Sequence, residues 1–156
     1  MRQLTLFIVI LLGSGQSLCS LSIDDVLGAW AVDADGTWNS MKDINPKLWE
    51  RIAKASPEQL AGAKNKFVTD NKSSTAEITA NKLIFKDSIK KDELPYKVVS
   101  IKDDTISLDI SDQDGQAYPV TLVVRKDGTI MFSQAGMSLI YKRPIAALKQ
   151  PPKPSP

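Results

Sequence analysis

Alternation of apolar and polar residues dominates the second half of this chain. Ile106, Leu108 and Ile110 alternate with Thr105, Ser107 and Asp109, and Tyr118, Val120, Leu122 and Val124 alternate on the next run. A period of two puts one set of side chains on each face of a strand. From Ser74 onward every such run is short, and the pattern predicts strands at about 74–80, 82–87, 94–101, 104–111, 116–126, 129–133 and 137–142. Tight turns between consecutive runs predict an antiparallel meander. With a further run at 26–32 the strands number about eight, enough to close a small barrel.

Turn chemistry then sets register, because a slip of one residue moves every apolar side chain to the wrong face. A two-residue Asp127-Gly128 turn would pair Val124 with Met131 and leave Phe132 outside. A three-residue loop, Lys126-Asp127-Gly128, pairs Val124 with Ile130 and Leu122 with Phe132, so the bulged loop is expected. By the same reasoning Gln113-Asp114-Gly115 sets Ile110 opposite Tyr118 and Leu108 opposite Val120. An Ala80-Asn81 turn sets Ile78 opposite Leu83 and Ala76 opposite Phe85. The last strand reads either way: Leu139 and Tyr141 inward, or Ile140 inward.

The first half is different. Val26 to Val32 reads as a strand, and Asp33 to Asp43 as a polar connection containing Trp38 and Met41. Two short helices are predicted next. Asn45 caps the first, with Pro46 at its opening position, and Leu48 and Ile52 share one face beside Trp49. Ser56 caps the second, with Gln59 three residues on, and Leu60, Ala63 and Phe67 form a narrow stripe. So narrow an apolar face predicts helices that lie on another element. Glycine at 28 admits close backbone approach, and Trp30 on the same face can plug one end of a barrel.

The ends carry other signals. Arg2, the apolar run from Leu4 to Leu12 and the small residues up to Ser20 have the form of an export signal over 1–20, with cleavage near Cys19 or Ser20. That run is shorter than the roughly 20 residues a membrane-spanning helix needs. Cys19 is the chain's single cysteine. The residue before it is Leu18, where a lipid anchor calls for a small one, so anchoring through Cys19 is not expected. The barrel domain is expected over 21–143. Four prolines between Lys149 and Pro156 predict an extended tail over 144–156.

Composition narrows the chemistry. The net charge is +2, and removal of 1–20 takes away one base and no acid, so no nucleic-acid footprint is present. The chain has no histidine. Catalysis would therefore need paired carboxylates or a serine–lysine pair, and the acids sit mostly in turns and on polar strand faces. A non-enzymatic role without cofactor is expected. Asp112 and Asp114 fit a hairpin turn and supply too few ligands for calcium. Lys86, Lys90, Lys91 and Lys97 are interleaved with Asp87, Asp92 and Glu93, as on a solvated face.

An early Gly28-Ala29-Trp30 in a secreted chain, followed by a meander of about eight strands, resembles the lipocalins and the wider calycin group. The helices after the first strand are similar to the helical lid of fatty-acid-binding proteins. The resemblance spans roughly 26–143. It implies an up-and-down barrel around an apolar cavity, Trp30 at the closed end and Arg143 lying over it. It departs from the family in lacking a disulfide. It also departs in holding Leu139 where the fatty-acid-binding pattern has an arginine two residues before Tyr141, and Arg125 falls on the outward parity.

The residues expected to line the interior or portal are Trp30, Trp38, Trp49, Phe85, Tyr96, Leu122 and Phe132. The function these imply is an exported, monomeric binding protein for a small lipid-like ligand. The alternative is a filled barrel acting on a protein partner through its surface. Secreted metalloprotease inhibitors are similar in that respect, and Ser20-Leu21-Ser22-Ile23 would be the inserting segment.

Overall fold

A computed structural model describes residues 21–112 and 114–144. The expected export signal, Cys19 and the tail from 145 onward lie outside the described residues, as does Gln113 of the second hairpin loop.

The described chain is a closed antiparallel barrel in which eight strands pair in sequence order and the last returns to the first. The strands are β1 (Gly28–Val32), β2 (Thr75–Ile78), β3 (Lys82–Lys86), β4 (Lys91–Lys102), β5 (Thr105–Ser111), β6 (Ala117–Val124), β7 (Ile130–Gln134) and β8 (Met137–Lys142). Closure comes from Ala31 opposite Lys142 and Val32 opposite Tyr141. The fold is mainly β, as the alternation predicts.

The registers follow from the turns. Val124 faces Ile130 and Leu122 faces Phe132. Arg125 and Thr129 close the loop (N–O 2.9 Å), with Gly128 left-handed at φ 79°. Ile110 faces Tyr118 and Leu108 faces Val120. Ile78 faces Leu83 and Ala76 faces Phe85. The inward set, including Ile106, Leu108, Ile110, Val120, Leu122 and Ile130, forms one buried cluster.

Three expectations need correction. The strand foreseen at 26–32 begins only at Gly28. Ile23–Val26 is a 3-10 turn capped by Ser22, whose hydroxyl accepts from the Asp24 N–H (3.1 Å). Gly28, at φ +106°, turns the chain so that this segment passes under the barrel. The polar connection at 33–43 is instead two short helices, α1 (Ala34–Asn39) and α2 (Met41–Ile44). Ala34, Thr37 and Met41 are their buried positions, a helical face that the surrounding polar residues hide. α3 (Pro46–Ile52) and α4 (Pro57–Asn71) then follow as predicted. Ser56 and Gln59 form the expected capping box on α4, but Asn45 makes no side-chain cap on α3. Its amide instead bridges the Ser138 backbone on β8, donating to the carbonyl and accepting from the N–H at 2.8 Å each.

This bridge resolves the last strand. Leu139 and Tyr141 face the barrel interior, where Tyr141 packs against Phe132. Ser138 and Ile140 face outward, yet both are buried. Thr37 accepts from the Ile140 N–H at 2.9 Å, and α1 and α2 cover this face. A strand buried on both sides loses the alternation that would orient it.

Candidate functional site

The two ends of the barrel differ. At the lower end Val26 and Trp30 are almost wholly buried, and the Trp30 indole N–H donates to the Val26 carbonyl (2.8 Å). Arg143 lies over the Trp30 ring, 4.0 Å from its centroid, and donates to the Leu27 carbonyl at 2.7 Å. A side chain at position 28 would occupy the space of this guanidinium, since a Cβ there would sit 2.8 Å from Arg143 Nη1. The glycine, the tryptophan and the arginine thus form one seal. Above it, side chains fill the barrel, and Tyr96 anchors its hydroxyl on the Thr79 carbonyl (2.7 Å).

The filling stops near the upper end. There the β3–β4 and β7–β8 hairpins flank a cleft of ≈ 330 Å³. Its floor is aromatic: Phe85 meets Phe132 edge-on at 5.2 Å, and Phe132 meets Tyr141 at 6.2 Å. Leu94, Leu139 and half-exposed Met137 form the walls, and Asp92 and Gln134 are its polar members. Burial pushes the Tyr141 hydroxyl up to about 12, so it stays protonated as a hydrogen-bond donor. A smaller polar cleft of ≈ 150 Å³ adjoins the first and shares Phe85, Asp92, Leu139 and Tyr141 with it.

The expected site residues divide among three places. Phe85 and Phe132 line the upper cleft. Trp30, Tyr96 and Leu122 belong to the packed interior and seal. Trp38 packs on Phe67 (5.7 Å) in a separate groove of ≈ 290 Å³ between the helices, and Trp49 is half-buried on α3. Leu94, Leu139 and Tyr141 were not among the expected lining residues. Parity marks Tyr141 and Leu139 as inward candidates, but only closure shows which inward positions reach the unfilled end. Tyr118 has inward parity and is nevertheless 38% exposed, because it stands at the upper rim.

Asp112 works as a turn residue, accepting from the N–H groups of Asp114 and Gln116 at 3.0 and 2.8 Å. Among the described residues no cluster of three metal-ligating side chains occurs. No described helix is long and apolar enough to cross a membrane.

No protein-family model matches the chain, and no curated protein matches it. Among solved structures it is similar to the solution NMR structure of protein yxeF, with a TM-score of 0.47 and 17% identity over 96% of this chain and 92% of that one.

Proposed function

We propose that this chain is an exported, non-catalytic binding protein of calycin-like build that holds a small apolar ligand at the open end of its barrel. One observation carries the reading: the barrel is sealed below by Trp30 and Arg143 and left unfilled above, over an aromatic floor. The ≈ 330 Å³ cleft lies at the lower end of the range of about 300–1,000 Å³ for small-molecule sites. It suits a small ligand, or one end of a longer one. The apolar walls favour binding over chemistry, and Asp92, the carboxylate in the cleft, is tied to Lys90 at 2.8 Å. Export is supported by the basic start and apolar run of residues 1–20.

Larger ligands gain about 0.3 kcal/mol per non-hydrogen atom. A ligand of about twenty such atoms then binds with a Kd on the order of tens of micromolar. Native mass spectrometry of the protein purified from its own host should show an added mass that is lost on denaturation. Leu139→Trp, which fills the cleft from its wall, should abolish that mass and the uptake of a fluorescent fatty acid while leaving the thermal unfolding curve in place. A clean mass and no uptake by the wild-type protein would instead support the surface-binding alternative.

A further inference from the structure

The upper cleft and its polar neighbour share one boundary, formed by Phe85, Asp92, Leu139 and Tyr141. What this boundary admits rests on the binding reading above and narrows its ligand. The polar cleft is lined by Asn71, Ser74, Thr75, Lys86, Asp87 and Lys90 in addition to the shared residues. Its charges cancel. Lys90 is held by Asp92, and Asp87 is fixed by accepting the N–H groups of Ile89 and Lys90 at 2.7 Å each. Those two backbone bonds, the Ile89 one first, keep the Asp87 carboxyl below its ordinary range, so it remains an anion. Beside Lys86 and Asp87, one charge of each sign, the groups left to meet a ligand are uncharged: the hydroxyls of Ser74 and Thr75 and the Tyr141 phenol, since the Asn71 amide already donates to the Phe67 carbonyl at 2.8 Å. The Tyr96 and Tyr118 hydroxyls are engaged by Thr79 and Gln116, whereas Tyr141 has no such bond among the described residues and borders both clefts.

We infer that the site takes an amphiphile with one apolar chain and an uncharged, hydroxyl-bearing headgroup, the chain over Phe85 and Phe132 and the headgroup across Tyr141. A free carboxylate would meet Lys86 and Asp87 together, one attractive and one repulsive charge, with Lys90 already engaged by Asp92, and so gains no net charge partner. A cationic headgroup would meet the same two charges with the signs exchanged. Hydroxyls exchange water for the cleft's own hydroxyl groups.

Isothermal titration of the purified protein with monolaurin, laurate and laurylamine tests this, because the three share one chain and differ in the headgroup. Monolaurin should bind about tenfold more tightly than either charged ligand, the difference that one net hydrogen bond makes. Tyr141→Phe should weaken monolaurin several-fold and leave laurate unchanged. Asp92→Asn releases Lys90 and should raise laurate affinity about tenfold. Circular dichroism confirms that both variants fold. Laurate or laurylamine binding as tightly as monolaurin overturns the headgroup assignment and leaves the apolar-ligand reading standing. Monolaurin affinity that is unchanged by Tyr141→Phe also overturns it. Failure of all three ligands overturns both readings.

Discussion

Trp30 illustrates how one residue type acquires its role from its neighbours. The indole is a plug because Val26 offers a carbonyl below it and Arg143 a cation above it. Gly28 makes room for that cation. Gly28→Ala combines an unfavourable left-handed φ with a 2.8 Å clash, so it should cost about 1–3 kcal/mol in urea unfolding. An unchanged midpoint would remove the glycine from the seal. Tyr141 ties the stability of the fold to alkaline pH. Its hydroxyl is raised by burial from 10.0 to about 12, so the folded state holds the phenolic proton more tightly than the unfolded chain does. That contribution is complete below about pH 10 and is lost as pH rises through about 12, a loss on the order of 2–3 kcal/mol. Tyr141→Phe should flatten this part of the alkaline stability profile. The titration of Tyr96, which burial also raises, is common to both proteins and cancels in the comparison. Equal alkaline losses in both would show that Tyr141 does not contribute.

Among the elements, the helical insert is joined to the barrel by polar bonds as much as by apolar packing. Asn45 and Thr37 reach the β8 backbone and satisfy groups that α1 and α2 cut off from water. The sequence around Asn45-Pro46 reads as a helix start, and in a helix start Asp is as good a cap as Asn. Asn45→Asp therefore separates the two roles. A cap would lose almost nothing. The bridge loses its donor to the Ser138 carbonyl and gains a buried charge, at a cost of about 2–4 kcal/mol. A urea midpoint shift near zero would return Asn45 to the cap role. The hairpins show the opposite case. Their short turns, Ala80-Asn81 and the two Asp-Gly loops, and their apolar parity act within a few residues, and the predicted registers match the observed ones.

Across the whole molecule, closure leaves the second half of β4 without a second neighbour. β3 pairs with β4 only from Lys91 to Pro95, whereas β5 pairs with it from Tyr96 to Lys102. The free length carries exposed Val98, Val99 and Ile101, with a register shift between Val98 and Ser100. Lys97 and Lys102 bracket it, placing charge where edge-to-edge pairing would begin. Replacing both lysines with threonine should speed aggregation, followed by light scattering, while leaving the Tm of the dilute protein nearly unchanged. Equal aggregation rates would show that the bulge alone protects this edge.

The strands, their order, their turns and most of their registers are legible in the amino-acid order alone. Each depends on alternation and loop chemistry that a short stretch contains in full. That order also put Gly28 and Trp30 on one face, though the space at Gly28 is taken by the Arg143 side chain and not by the backbone expected there. Tertiary structure decided what requires two distant segments at once. It made Asp33 to Asp43 helical by burying Ala34, Thr37 and Met41 against β8. It turned Asn45 from a cap into a bridge, and it oriented a β8 that is buried on both faces. It also divided the expected lining residues, because parity shows only that a side chain points inward. Whether that side chain meets other side chains or open space depends on closure and stagger, which leave Trp30 and Leu122 packed and Phe85 and Phe132 at the unfilled end.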